Sequence, residues 1–224
     1  MTRAVFLDAL GTLLELEPPW VPLRSKVPAD VTEEALVSAV RNEMDYYREH
    51  AHEGRDVESL ADLRERCAAL ISRQLEFPVT AQELLDSVRF DPYPDAVPAL
   101  AELRDRGLSL VVVSNWDCSL ETVLDGCGLN RFLDGVVTSA GAGSRKPDPG
   151  IFRAALELAG CRADEALHVG DTPGEDADGA RAAGIRALIV ARDGGGDGDR
   201  AEGGARSADG VNRIASLGQI VQHL

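Results

Sequence analysis

Five short runs of apolar residues are spaced along the chain, and almost no polar residue interrupts them. They are AVFL (4–7), LSLVVV (108–113), GVVTS (135–139), ALHVG (166–170) and RALIVA (186–191). Strands that are covered on both faces, as in a parallel sheet, have this continuous apolar character. The pattern therefore predicts five buried parallel strands.

The stretches between the later strands have apolar positions at helical spacing, and each ends in a glycine that can stop a helix. These stretches are 95–107, 117–128, 148–160 and 174–184. Strands and helices thus alternate along the chain, which is typical of right-handed βαβ units. We predict an α/β fold with a doubly wound, Rossmann-like parallel sheet.

Residues 17–91 interrupt this alternation, because no buried strand is found among them. Amphipathic helices are predicted instead, one running from Thr32 towards His50 and two more over 56–77 and 80–90. The turn-rich sequences EPPW and DPYPD enclose this segment. We interpret it as an all-helical cap domain, inserted into an α/β core domain that consists of residues 1–16 and 92–224.

Composition and charge narrow the range of partners. The 224 residues carry a formal net charge of −15, which argues against broad binding of nucleic acid or of anionic membranes. No apolar run reaches the roughly 20 residues of a membrane span, and the sequence does not open like a signal peptide. We expect a cytoplasmic protein with an anionic small-molecule substrate; the oligomeric state stays open. The four cysteines lack paired metal spacing and are expected to be reduced, buried residues.

The segment DGGGDGDRAEGGARSADG, at 193–210, has low complexity. Its acidic residues lack the D-x-D-x-D-G spacing of a calcium loop, so a flexible surface loop is predicted. The final stretch, SLGQIVQHL, is predicted to form a short helix.

Polar residues with complementary chemistry fall at the ends of the predicted strands, where open parallel sheets bind ligands. Asp8 ends the first strand, Ser114 ends the second and Asp171 follows the fourth. Lys146 lies in the loop after the third strand, and Asp176 comes five residues after Asp171. We expect all five side chains to meet at one edge of the sheet.

Carboxylates that meet at one edge repel each other, and an anionic substrate would increase the repulsion. A Mg²⁺ ion, which prefers oxygen ligands, would relieve it. Lys146 would neutralise further charge, and Ser114, with the backbone N–H groups of a predicted helix start behind it, would bind anionic oxygens. Asp8 would then be free to act as a nucleophile.

Four segments resemble, in order, the four motifs of the haloacid dehalogenase-like hydrolase superfamily. They are DALGTLL (8–14), VVVSN (111–115), RKPDPGIF (145–152) and HVGDTPGEDADGARAAG (168–184). The resemblance covers the whole α/β core, and the helical insert resembles the first-position cap of that superfamily. The function that the resemblance implies is that of a hydrolase, and we expect a Mg²⁺-dependent phosphatase that acts on a small phosphorylated molecule.

The resemblance also implies a role for each motif residue. Asp8 would be the nucleophile, oriented by Lys146, and Ser114 with the backbone at Asn115 would bind the transferred group. The remaining implied roles concern the metal, which would be bound by Asp8, the main-chain carbonyl of Leu10 and Asp171, with Asp176 supporting it directly or through water.

The sequence departs from the phosphatase pattern at Leu10. Phosphatases of the superfamily usually carry a second aspartate there, which protonates the leaving oxygen and later activates water. Such acid–base help contributes roughly 10²–10⁴-fold in rate, or about 3–5 kcal/mol of barrier. A phosphatase without this aspartate is expected to be slow or specialised, unless the cap supplies a substitute, for which the candidates are Tyr46, Tyr47, His50 and His52.

Two other functions fit a chain with leucine at this position. A metal-independent 2-haloacid dehalogenase needs no proton donor, because halide leaves unprotonated, and DALGTL resembles the first motif of those enzymes. They usually lack the acidic Gly-Asp start of the fourth motif, however, which this chain keeps in GDTPGED. A catalytically impaired relative that binds a ligand or a partner is the remaining alternative.

Overall fold

A six-stranded parallel sheet forms the centre of the computed structural model, which describes residues 1–192 and 211–224. The strands along the chain are β1 (Ala4–Leu7), β2 (Leu14–Leu16), β3 (Phe90–Pro92), β4 (Ser109–Ser114), β5 (Gly135–Thr138), β6 (Ala166–Gly170), β7 (Arg186–Val190) and β8 (Asn212–Ile214). The sheet has the order β5-β4-β1-β6-β7-β8, while β2 and β3 form a separate antiparallel pair. The loop predicted at 193–210 lies outside the described residues.

The strand order places β1 in the middle of the sheet, with β4 and β6 as its parallel neighbours. From β1 the chain builds outwards through β4 and β5 on one side and through β6, β7 and β8 on the other. The order reverses at β1, so a crevice opens at the carboxyl ends of β1, β4 and β6. The predicted doubly wound α/β fold is confirmed.

Helices cover both faces of this sheet. Along β1, Val5 and Leu7 belong to the apolar core on one face, and Ala4 and Phe6 to the core on the other. This alternation is the period of a strand, and all four side chains are fully buried. The helices along the chain are α1 (Trp20–Leu23), α2 (Glu33–His50), α3 (Val57–Leu75), α4 (Ala81–Ser87), α5 (Ala96–Asp105), α6 (Leu120–Gly126), α7 (Ser139–Ala142), α8 (Pro149–Ala159) and α9 (Asp178–Ala182).

The segment between β2 and β3 contains α1 to α4, which pack around an apolar core of their own. Side-chain caps begin α2 and α4: Thr32 accepts from the backbone N–H of Ala35, and Thr80 forms a capping box with Glu83. The assignment of 17–91 as an inserted cap domain stays a prediction. Within the described residues, no helix is long and apolar enough to cross a bilayer.

Several local elements differ from the sequence expectation. The helix predicted over 80–90 ends at Ser87, because the chain turns extended at Val88 to form β3. The helix predicted over 174–184 begins with a π-helical turn, Pro173–Ala177, before α9. The final helix is of the 3₁₀ type, Leu217–His223. Strands β2, β3 and β8 were missed, since runs of three residues are too short to show a period.

Candidate active site

The loop after β1 presents Asp8 at the crevice. Asp8 is 6% exposed, and its backbone N–H donates to the carbonyl of Val169 on β6 at 2.9 Å. The chain then folds back tightly, because the N–H groups of Leu13 and Leu14 both donate to the carbonyl of Ala9 at 2.8 Å. These backbone bonds fix the carboxylate at the centre of the sheet edge.

Lys146 bridges two carboxylates in the buried part of the site. Its Nζ donates to Oδ1 of Asp8 and to Oδ1 of Asp176, both at 2.6 Å, and the side chain is 2% exposed. The side chain of Asn115 holds the lysine in place from the end of β4. Its Oδ1 accepts from the N–H of Lys146 at 2.8 Å, and its Nδ2 donates to the Lys146 carbonyl at 3.1 Å.

Asp176 is fully buried, and both of its oxygens accept hydrogen bonds. Oδ1 lies 2.8 Å from Nε2 of His168 in addition to its bond from Lys146, and Oδ2 accepts from the N–H of Thr172 at 3.0 Å. Burial acts to raise the pKa of Asp176, but Lys146 and His168 outweigh it and hold this pKa well below its usual range. Asp176 is therefore an ionised anchor for Lys146.

Asp171 completes an acidic triad, defined by the carboxylates of Asp8, Asp171 and Asp176. One oxygen of each lies within 4.8 Å of the others. Burial, followed by the charges of Asp8 and Asp176, raises the pKa of Asp171 to about 7. Burial and the Asp176 charge also raise the pKa of Asp8 despite Lys146. Three hard oxygen donors that repel one another suit a divalent cation such as Mg²⁺.

Ser114 is the last residue of β4, and its buried side chain forms a hydrogen bond with Asp8. The expectation of a helix start directly behind it was wrong, because α6 begins only at Leu120. Residues 115–119 form a loop in which Asp117 accepts from the N–H of Ser119 at 2.6 Å. Any backbone N–H groups offered to an anion here belong to a loop rather than to a helix.

Two glycines make room for the acidic triad. A Cβ on Gly11 would lie 2.2 Å from Oδ2 of Asp171, and one on Gly170 would lie 2.0 Å from Cγ of Asp176. Gly11 also has a φ of +82°, in the left-handed region that favours glycine. Both positions therefore require a residue without a side chain.

If the acidic triad binds a divalent cation such as Mg²⁺, we expect Gly11→Ala to weaken that binding about 10–100-fold, because the methyl group displaces Asp171. Gly107→Ala is the matched control, since Gly107 has a φ of +76° but open space around its Cβ position. In both variants an alanine in the left-handed region costs about 1–2 kcal/mol. Only in Gly11→Ala does the new methyl group contact Asp171. Equal Mg²⁺ affinities of the two variants in titration calorimetry would show that crowding of Asp171 has no effect.

A cavity of about 1000 Å³ lies between the sheet edge and the helical segment. The predicted site residues Asp8, Leu10, Ser114, Asn115, Lys146, Asp171 and Asp176 all line it. Tyr47 faces it from α2 and donates through its hydroxyl to Oδ2 of Asp117 at 2.7 Å. The helical segment is also linked to the core by the N–H of Cys118, which donates to the carbonyl of Gly54 at 2.8 Å.

Tyr47 alone among the four proposed acid–base substitutes lines this cavity. Tyr46 and His50 stack on each other, and Nδ1 of His50 lies 2.7 Å from the Tyr46 carbonyl. Sequence reasoning missed two residues, His168 behind Asp176 and Glu43 in the cavity wall. His168 interrupts the apolar run of β6, and Glu43 lies on the apolar side of α2. A polar residue at such a position is the signal that could have indicated them.

Comparison with known proteins places this geometry in a family. The profile of the haloacid dehalogenase-like hydrolases matches residues 2–184. Haloacid dehalogenase-like hydrolase domain-containing protein 3 of Bos taurus is 47% identical over 96 residues, which are 43% of this chain and 38% of that protein. The chain thus matches well under half the length of this relative.

Two further proteins match over more of the chain. Phosphatase MT3486 of Mycobacterium tuberculosis is 35% identical over 160 residues, or 67% of each chain. The structure of L-2-haloacid dehalogenase from Xanthobacter autotrophicus superposes with a TM-score of 0.73 at 25% identity, covering 99% of this chain and 98% of that one. Since the profile covers most of the sequence and the fold agrees, the chain belongs to the haloacid dehalogenase-like hydrolase family.

Proposed function

We propose that the protein is a Mg²⁺-dependent phosphatase that acts on a small, anionic phosphorylated metabolite, with Asp8 as the nucleophile. The acidic triad beside the buried Lys146 is the observation that carries this proposal. A dehalogenase that works without metal has no need of three carboxylates within 4.8 Å of one another. The similarity to a Mycobacterium tuberculosis phosphatase over two thirds of its length supports the same function.

Each residue of the site has a role in this chemistry. Asp8 attacks the phosphorus atom, while Lys146 keeps its carboxylate oriented through the 2.6 Å bond to Oδ1. Ser114 and the backbone at Asn115 bind the phosphoryl oxygens. Asp176, anchored by His168, holds Lys146 between the two acids.

Asp8, Asp171 and the main-chain carbonyl of Leu10 would hold Mg²⁺, with Asp176 directly or through water. The hydrogen bonds on both Asp176 oxygens leave it less capacity for the ion than the other two acids have. When bound, the ion would neutralise the repulsion between these carboxylates and the substrate phosphate.

The experiment is an assay of purified protein against phosphate esters, acyl phosphates and 2-haloacids, with Mg²⁺ or with EDTA. We expect phosphate release that EDTA abolishes and added Mg²⁺ restores. Halide release that resists EDTA would instead show the metal-independent dehalogenase, which the leucine at position 10 favours. Binding of Mg²⁺ without any turnover would show a catalytically impaired relative.

A further inference from the structure

Glu43 is a buried carboxyl group that the proposed function leaves without a role. It lies on α2, is 8% exposed and lines the same cavity as Asp8. Among the described residues it forms no salt bridge, and its side chain is hydrogen-bonded to the thiol of Cys67 on α3. An acid buried without a cation is costly for folding, so its presence in the cavity wall needs an explanation.

The surroundings of Glu43 favour its protonated form. Burial raises its pKa, and the Cys67 hydrogen bond lowers it by less. Charged or titratable groups close to the Glu43–Cys67 pair include Arg66 of α3, Asp117 of the core and Tyr47 of its own helix. The Tyr47 hydroxyl is already donated to Asp117, so it is not the free proton donor of the cavity.

We infer that Glu43 is the general acid–base residue for the leaving group, in place of the aspartate that is replaced by Leu10. The inference rests on the proposed phosphatase function. Leu10 and Glu43 line the same cavity. Leu10 belongs to the predicted core domain and Glu43 to the predicted cap domain. A protonated carboxyl here gives the leaving oxygen the donor that leucine cannot supply.

Glu43 donates a proton when the aspartyl-phosphate forms and regains one when it is hydrolysed. As Asp8 forms its bond to phosphorus, the bond to the leaving oxygen breaks, and that oxygen takes its electron pair and the Glu43 proton to leave as an alcohol. The resulting Glu43 carboxylate then accepts a proton from water as the water oxygen attacks the aspartyl-phosphate. The bond between phosphorus and Asp8 breaks, releasing phosphate and regenerating both side chains.

The test compares two substrates in the presence of Mg²⁺: p-nitrophenyl phosphate, whose leaving group needs no proton, and a simple alkyl phosphate, whose leaving group does. We measure kcat/KM, which reports the steps up to formation of the aspartyl-phosphate. Glu43→Gln should lower the alkyl value at least about 10²-fold and the aryl value less than about tenfold. Glu34→Gln, at an exposed position of the same helix, should change neither of the two kcat/KM values nor their ratio.

Two further variants separate catalysis from packing. Leu10→Asp in the Glu43→Gln background should restore the alkyl-to-aryl ratio at least tenfold, because the acid returns to the core. Glu43→Asp keeps a proton donor and should retain more alkyl activity than Glu43→Gln. Equal losses on both substrates, or no loss on either, would overturn the role of Glu43. Absence of turnover of p-nitrophenyl phosphate by the unchanged protein would instead refute the proposed function.

Discussion

Asp8→Asn is expected to lower kcat/KM for phosphate esters by at least about 10⁴-fold, the scale of loss when a catalytic nucleophile is removed. The amide of asparagine has nearly the same shape as the carboxylate, but it is a poor nucleophile. Lys146 keeps its bond to Asp176 in this variant, so the buried charge is still paired. Steady-state kinetics with Mg²⁺ measure the loss.

The fold of Asp8→Asn should persist. Burial raises the pKa of Asp8, which means that the folded state disfavours its charge, and a neutral side chain relieves this cost. Asp91→Asn, at an exposed position of β3, is the matched control and should retain full activity. A melting temperature close to that of the unchanged protein, together with more than a tenth of its activity, would remove Asp8 from the nucleophile's role.

Lys146→Met should have the largest effect on stability. The substitution leaves Asp8 and Asp176 buried without their shared cation, and breaking a buried ion pair in this way costs about 3–5 kcal/mol. Lys26→Met is the control, because Lys26 is the only other lysine of the chain and is exposed. Denaturant titration of the three proteins compares their free energies of unfolding.

The cost of Lys146→Met should depend on pH. The pKa of Asp176 is lowered in the folded state, so its pairing stabilises above the ordinary carboxyl range and is lost as the pH falls through the lowered value. Burial acts to lower the pKa of Lys146, but Asp176 and Asp8 raise it, so the lysine's contribution is complete below about pH 10. The difference from the unchanged protein should be full from neutral pH to about pH 10. It should shrink in acid, first as Asp8 takes up a proton, because its pKa is raised, and then as Asp176 does.

Mg²⁺ should restore part of the stability that Lys146→Met loses, because a cation bound by the acidic triad replaces the missing positive charge. The Lys26→Met control should gain no more from Mg²⁺ than the unchanged protein does. A Lys146→Met protein as stable as the unchanged one at pH 7 would show that the lysine does not hold the two carboxylates together.

The sequence predicted the central sheet well because its strands are covered on both faces. The continuous apolar runs of β1 and β4 are typical of strands in a parallel sheet, and their short length favours a strand over a helix. The pair of β2 and β3 was not predictable in this way, since each strand has only three residues and its partner lies more than 70 positions away. The π-helical turn before α9 was hidden because its spacing resembles that of an ordinary helix.

The sequence predicted which residues lie close together at the site, but not which of them form hydrogen bonds with each other. Asp8 and Lys146 are 138 positions apart, and only the rule that parallel strands end at one edge brings them together. Periodicity says nothing about which side chain anchors which, so the bonds from His168 to Asp176 and from Asn115 to Lys146 emerged only in three dimensions. Glu43 was missed because a glutamate within an amphipathic helix is usually solvated.

Trapping the covalent intermediate tests the nucleophile most directly. The protein is mixed with Mg²⁺ and a phosphate ester, quenched with borohydride and digested with trypsin, and the peptide spanning 4–24 is analysed by mass spectrometry. Asp8 is the only aspartate in this peptide. We predict its conversion to homoserine, the reduction product of an aspartyl-phosphate, in the unchanged protein and not in Asp8→Asn. Release of phosphate under the same conditions without modification at position 8 would contradict a reaction that proceeds through Asp8.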